Sequence, residues 1–219
     1  MPLFNYRQYI EENIRSIISQ SYTNWEIIIV DDASTDDPYP VIESYLSDKI
    51  KYIKLEQNVG YGSAKNVGIR NSDGNLIVVL DADDMLCEGS LEVRVDKILR
   101  KKYGNWIHGE CLEFNDIKPY EFKHIDRKSN QRFRAMQKQD DFTKVWQCIH
   151  AQTVMVKRKV YEKVGLYEPT LRSMGDKEMW ARICYRIGVP LHIKQYVALY
   201  RQHHKQMHRS KAKLDNLEG

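Results

Sequence analysis

Three carboxylates crowd into NLIVVLDADDML, residues 75–86, where Asp81, Asp83 and Asp84 follow the apolar run 76–80 without a break. Like charges at this density repel one another unless something positive sits among them. Asp81 and Asp83 are two residues apart, so in extended backbone both side chains point to one face. Hard oxygen donors at that spacing suit Mg²⁺ or Mn²⁺, which keep positions open for substrate phosphates. A solvated acidic turn after a buried strand explains the same residues with no ligand and carries equal weight on this stretch by itself. A calcium loop is excluded, because it wants Asp or Asn at 85 and Gly at 86, where the chain has Met85 and Leu86. An aspartyl-phosphatase pattern, with Asp81 as nucleophile and Asp83 as acid–base, wants Thr or Val where Met85 stands. A second acidic pair, Asp31 and Asp32, ends another apolar run in WEIIIVDD, residues 25–32.

Both runs need elements that bring their ends together. Uninterrupted apolar stretches suit central parallel strands, which are covered on both faces and do not alternate. Between and around them the chain alternates strand and helix patterns. Ile10, Ile14, Ile17 and Ile18 have helical spacing; DDPYPVIESYL reads as a short helix with Val41, Ile42, Tyr45 and Leu46 inward; IKYIKL alternates as a strand; GSAKNVGIRNSDG reads as a helix closed by turn residues. This order predicts an α/β fold with a mostly parallel sheet flanked by helices. Ligands in such sheets bind at the carboxyl ends of the strands, so Asp31, Asp32, Asp81 and Asp83 are expected to share one crevice. Further on, NWIHGECLEFND reads as a strand and turn, residues 117–140 as a polar loop, AQTVMVKRKVYEKVG as a strand and a helix ended by Gly165, and DKEMWARICYRIG as an amphipathic helix. Its stripe is Met179, Trp180, Ile183, Cys184 and Ile187, with Gly188 after its last turn.

The composition narrows the classes. With 219 residues, 42% hydrophobic and 29% charged, the chain supports a packed core in one domain or a core with an added lobe. Thirty-four basic against 30 acidic residues, net +4, is too balanced to indicate nucleic acid as a partner. Cys87, Cys111, Cys148 and Cys184 form no CxxC pair, which argues against a thiolate zinc site and suits free thiols in a reducing cytoplasm. No stretch approaches the ~20 apolar residues of a membrane span.

Several motifs together resemble the family 2 glycosyltransferases of the GT-A, Rossmann-like fold. PLFN (2–5) is similar to the family's Pro-x-Tyr-Asn; IIIVDDASTDD to its Val-Asp-Asp-Gly-Ser-Thr-Asp, with Ala33 for Gly; NVGYGSAKNVGI to its Asn-x-Gly…Ala-Arg-Asn-x-Gly, with Lys65 for Arg. VVLDADD matches its Asp-x-Asp metal motif, KVGLYEPTLRSMGDKEMWARI resembles its Val-Gly-Gly-Phe-Asp…Glu-Asp…Leu-Trp-x-Arg stretch, and LYRQH its late Tyr-Arg-x-His. The resemblance implies a metal-dependent, inverting transferase that moves sugar from a nucleotide-diphosphate sugar, UDP by family habit, to a hydroxyl of a cell-surface glycan or lipid-linked acceptor. It implies Mn²⁺ or Mg²⁺ as cofactor and a role in cell-surface polysaccharide biosynthesis. It places Asp32 and Asp31 on base and ribose, with Pro2, Phe4, Asn5, Asn58, Gly60, Lys65 and Ala82 in the same nucleotide site. Asp81 falls on ribose or metal-bound water, Asp83 and Asp81 with His203 on the metal, and Asp176 on the general-base role.

Simpler roles compete with some of these. Asp176 suits a helix N-cap, and Glu178 is an alternative base. His203 stands beside His204 and His208 in a basic segment, with His204 the fallback ligand. Trp180 reads as core, and Gly60 with Gly62 as a turn or a phosphate cradle. A non-catalytic nucleotide-sugar-binding fragment is the other reading. The expected division is 1–104 for nucleotide-sugar binding, 105–204 for acceptor binding and catalysis within the same domain, and a basic tail 205–219. That tail is expected to touch the inner face of the plasma membrane peripherally or to fray. The resembled family also has a buried first strand just ahead of its Pro-x-Tyr-Asn, where this chain has Met1. The strand is expected to be missing and Met1 to be internal to a longer parent, with weakened nucleotide binding or folding as the result.

Overall fold

Ile27 and Ile29 of the strand β2 (Ile27–Asp31) pack toward the helix α1 (Arg7–Ile18), while Ile28 and Val30 pack with Ala64 on the opposite side. That two-sided cover is why the run is apolar without alternation. β2 lies between β1 (Pro2–Leu3) and β3 (Ile50–Lys54), both parallel to it. The first strand is short, with Pro2 opposite Val30 and Leu3 opposite Asp31. The computed structural model describes residues 1–100, 104–116, 118–124, 149–171, 174–204 and 206. The tail 205–219 apart from Gln206, with His208 in it, Cys148 and most of the polar stretch 117–140 therefore lie outside the described residues.

α2 (Tyr39–Ile42) continues into a 3₁₀ turn over Glu43–Tyr45. Ile42 is buried, but Leu46, expected inward, is exposed because the chain has left the helix and become extended there. α3 (Tyr61–Arg70) connects β3 to β4 (Leu76–Ile77). Beyond it β5 (Met85–Leu86) and α4 (Ser90–Arg100) precede two long strands, β6 (Trp106–Asn115) and the final β9 (Leu191–Gln202). Between these come β7 (Lys118–His124), β8 (Met155–Lys157), α5 (Arg158–Val164) and α6 (Gly175–Ile187). β7 corrects the loop expected from residue 117 onward: residues 118–124 turn back on β6 as an antiparallel partner.

The second sheet runs β4–β8–β6–β9–β5, with β7 on β6. The expected α/β layering is present, but among the described residues parallel pairing is confined to β1–β2–β3 and to β6–β9; the other ladders there are antiparallel. β6 and β9 approach so closely at Gly109 that a Cβ there would lie 2.6 Å from a Val197 methyl. One core layer gathers α1, α4 and Leu80; the other gathers α5, α6, Ile77 and Val79. In the second layer Trp180 stacks on Trp106 with ring centres 5.6 Å apart, so Trp180 is core, as its position on the stripe predicts.

Candidate functional site

Both apolar runs deliver their acidic ends to the same side of the molecule. Asp31, at the end of β2, is fully buried and accepts hydrogen bonds from the Ser34 amide (2.8 Å) and the Tyr52 hydroxyl (2.5 Å). Asp32 accepts from the amides of Val59 (2.7 Å) and Gly60 (3.0 Å), and its carbonyl accepts from Asn58 Nδ2 (3.1 Å). The turn into α3 is thus tied to the end of β2. Gly60 makes this turn at φ 89°, a conformation that favours glycine. Its amide faces Asp32, so the turn reading describes it better than a phosphate cradle. Asn5 sits at φ 58° and its Oδ1 accepts from the Thr35 amide (2.8 Å), which stitches residues 2–5 to the loop after β2. Pro2 is buried in β1, while Phe4 is exposed beside this loop.

The second cluster forms where the chain turns after residue 80. One carboxylate oxygen from each of Asp81, Asp83 and Asp84 lies within 4.8 Å of the others. Asp81 Oδ1 accepts from the Tyr61 hydroxyl (2.5 Å), and burial, opposed by Lys65, pushes its carboxyl up to about 6. Burial and the charges of Asp83 and Asp81 push Asp84 well above the ordinary carboxyl range, against the pull of Arg201. Three carboxylates packed this closely, Asp81 half-buried and Asp83 and Asp84 buried, repel one another, and a divalent cation among them would remove the conflict. His203 Nε2 lies 2.9 Å from Asp83 Oδ2, and the ring packs against Tyr6 and Tyr9. Its Nδ1 is buried without a hydrogen-bond partner among the described residues. His204, the fallback ligand, is exposed. Ala82 is buried between the aspartates, so its side chain belongs to the core.

Two residues that the sequence reading did not single out hold this turn in shape. Asn13, fully buried on α1, donates through Nδ2 to the carbonyls of Asp81 (2.7 Å) and Asp84 (2.8 Å). Arg201 at the end of β9 donates from Nε to the Asp83 carbonyl (2.9 Å) and from its terminal nitrogens to Glu12 and Asp116. Its backbone amide donates to Asp84 Oδ1 (3.0 Å). Asn13 left one trace in the sequence: it is a polar residue inside the Ile10–Ile14–Ile17 stripe, where an amide must find partners. Removing such a support around metal ligands costs about 10–100-fold in affinity. Asn13→Ala is therefore expected to weaken Mn²⁺ binding by that factor while far-ultraviolet circular dichroism stays unchanged, as a metal titration of both chains will read.

Asp176 comes from the start of α6 and meets Lys65 of α3. The N-cap of α6 is Met174, and Asp176 is in the first turn, so the capping role does not hold. Its Oδ1 instead accepts from Lys65 Nζ at 2.5 Å. Lys65 is wholly buried at its side chain and lies 3.5 Å from the centre of the Tyr61 ring and 4.7 Å from that of Tyr167. Glu178, the alternative base, is held by Arg182 through both oxygens one turn later (2.7 and 2.5 Å). The site therefore brings together Asp81, Asp83, Asp84 and His203, with Lys65 and Asp176 beside Asp81. Asp31 and Asp32 are occupied with bracing the loops at the rim.

The profile of glycosyl transferase family 2 matches residues 1–165. TuaG of Bacillus subtilis, named for a glycosyltransferase of teichuronic acid biosynthesis, is 27% identical over 202 residues, covering 91% of this chain and 76% of its own length. The fold is similar to that of Staphylococcus aureus TarS (residues 1–349) solved with UDP-GlcNAc, at TM-score 0.73 and 16% identity over 95% of this chain and 59% of that one. It is also similar to the mannosyltransferase PcManGT of Pyrobaculum calidifontis solved with GDP-Man and Mn²⁺, at TM-score 0.68 and 16% identity over 98% and 59% of the two chains. Two further curated relatives are matched over 56% of their length, so this chain spans little more than half of those two.

Proposed function

The chain belongs to glycosyl transferase family 2 and is a glycosyltransferase, and from that premise we propose that it moves a sugar from a UDP-sugar to a hydroxyl of a cell-surface glycan or of its lipid-linked precursor, with inversion at the anomeric carbon. The observation that carries this reading is the acidic trio beside the Lys65–Asp176 pair, with Tyr61 bonded to Asp81 and its ring against the Lys65 ammonium. The name of TuaG supports the cell-surface acceptor, and the UDP-GlcNAc held by TarS supports the donor. The phosphatase alternative is not favoured, because family and fold both point to sugar transfer.

In this reading Asp81, Asp83, Asp84 and His203 would hold Mn²⁺ or Mg²⁺, whose charge would offset that gathering on the departing diphosphate. Exposed Phe4, beside the braced loop after β2, offers its ring to the uracil. Asp31 and Asp32 act on the nucleotide mainly through the loops they fix, with Asn5, Asn58 and Gly60. Asp176 takes the proton of the acceptor hydroxyl as it attacks from the side opposite the diphosphate. The Lys65 bond fixes Oδ1, leaving Oδ2 for that proton. As the carboxylate is neutralised, Lys65 loses its counter-charge, just when the diphosphate gains one. The ammonium can then serve the leaving group, which reconciles its buried pairing with a nucleotide role. No helix among the described residues is long and apolar enough to cross a membrane.

Calorimetric titration of UDP into the chain with Mn²⁺, repeated with EDTA and on Asp83→Ala, tests the site. Binding is expected only with the metal and is expected to weaken by about 100-fold in the variant, at the upper end for lost support of a metal site. UDP binding of equal strength in EDTA, or in Asp83→Ala, would overturn the assignment of the acidic turn.

A further inference from the structure

Tyr61 opens α3 directly after the Gly60 turn, and Lys65 follows four residues later, on the same face of the helix. The bond from the Gly60 amide to Asp32 fixes where this helix starts. Further along, α3 is locked to residues 167–168. Asn66 Nδ2 donates to the Tyr167 carbonyl (2.8 Å), and the Tyr167 amide donates back to Asn66 Oδ1 (2.9 Å). The packing is close, since a Cβ on Gly62 would lie 3.2 Å from the Glu168 carbonyl oxygen. Within this frame the half-buried Tyr61 side chain touches both parts of the site. Its hydroxyl donates to Asp81 Oδ1 (2.5 Å), and its ring centre lies 3.5 Å from Lys65 Nζ. The Tyr167 ring centre is 4.7 Å from the same nitrogen, and Asp176 Oδ1 is 2.5 Å from it. The enclosed ammonium is therefore held by two aromatic rings and one carboxylate.

We propose that Tyr61 is a positioning residue with two separable roles: its hydroxyl orients Asp81 for the divalent cation, and its ring holds Lys65 in place while Asp176 carries the proton of the acceptor. The inference rests on the glycosyltransferase reading given above. The hydroxyl occupies Oδ1 of Asp81 and leaves Oδ2 for the cation, so the ligand is oriented before the metal arrives. The share of the ring changes during the reaction. While Asp176 is ionised, its charge dominates the hold on the ammonium. Once Asp176 has taken the proton, that attraction falls away and the negative faces of the two rings remain. An interaction that gains weight as the proton moves favours the transition state over the ground state. Tyr61 thus joins the metal side of the site to the base side through a single rigid ring.

Calorimetry with UDP and Mn²⁺ reads the hydroxyl. Tyr61→Phe keeps the ring and loses the bond to Asp81, and its UDP affinity in Mn²⁺ is expected to fall by about 10-fold or more. Unchanged affinity in Tyr61→Phe, with the wild-type chain binding UDP only in Mn²⁺, would overturn the proposal and leave the metal assignment of the acidic turn standing. Wild-type binding that ignores Mn²⁺ would instead sink that assignment, and the role of Tyr61 with it. Thermal melting reads the ring, in the Asp176→Asn background, whose neutral amide stands in for the protonated carboxyl. There Tyr61→trifluorophenylalanine has the shape of Tyr61→Phe but draws charge away from the ring face. It is expected to melt about 2–4 °C lower than Tyr61→Phe, the scale of one cation–π contact in a domain of this size. The gap should close when Lys65→Met removes the cation. Equal melting of the two ring variants, or a gap that survives Lys65→Met, refutes the proposal.

Discussion

Asp176→Asn is expected to lower the rate of sugar transfer by about 10²–10⁴-fold, the range for losing a positioned general base, while UDP affinity stays within a few fold. Asparagine keeps an oxygen that can accept from Lys65 but cannot take up a proton. The same substitution also has a structural cost. Lys65 is fully buried at its side chain and Asp176 is 24% exposed, so the variant leaves an ammonium enclosed without its counter-charge. Breaking a buried pair in this way costs ~3–5 kcal/mol, and the partial exposure of Asp176 puts the expected loss near the low end. The double variant Asp176→Asn, Lys65→Met isolates the structural cost, since it removes the stranded charge together with the cation that serves the leaving group. Thermal melting should show stability recovered, because the stranded charge is gone, and single-turnover transfer should show no recovery. A double variant that regained activity would mean that Asp176 serves the fold and that the base lies elsewhere.

Arg201→Met is expected to cost about 3 kcal/mol, the scale of lost hydrogen bonds to charged groups at a buried cation, and to lower Tm by about 6–12 °C for a domain of this size. The guanidinium lies 4.6 Å from the centre of the Tyr9 ring and 4.5 Å from that of Phe114, and it ties Glu12 on α1 to Asp116 after β6 and to the Asp83 carbonyl. Methionine fills much of the same space but donates nothing. Glu12 and Asp116 are half exposed and can turn to water, so the loss stays below that of a sealed ion pair. The Asp83 carbonyl cannot do so, and the acidic turn should loosen. Mn²⁺-dependent UDP binding is therefore expected to fall together with Tm; a drop in Tm with unchanged metal affinity would confine Arg201 to the fold.

The parts of this molecule that a reader finds in the sequence are those written as periodicity or as runs. The two apolar runs gave β2 and β4 and aimed Asp31, Asp32, Asp81 and Asp83 at one side. The Met179–Trp180–Ile183 stripe gave the buried face of α6. Polar partnerships show far less: Asn13 marks itself only as a polar residue inside an apolar stripe, and its partners are not written there. The Asn13 clamp, the Arg201 hub and the Lys65–Asp176 pair join residues 68 to 189 positions apart, and nothing in local spacing announces them. Asp176 shows the difference most clearly: as one acidic residue ahead of an apolar stripe it reads as a cap, and only the approach of α3 reveals its partner. β7 was hidden for another reason, because KPYEFKH alternates weakly and takes its conformation from its neighbour β6.

The Lys65–Asp176 bond also sets a timetable for synthesis. Its partners are 111 residues apart, and ribosomes add about 5–20 residues each second, so Lys65 emerges roughly 5–20 seconds before the carboxylate that neutralises it. Throughout that interval the N-terminal half of the nascent chain must keep this lysine in water, with α3 not yet seated in its final place.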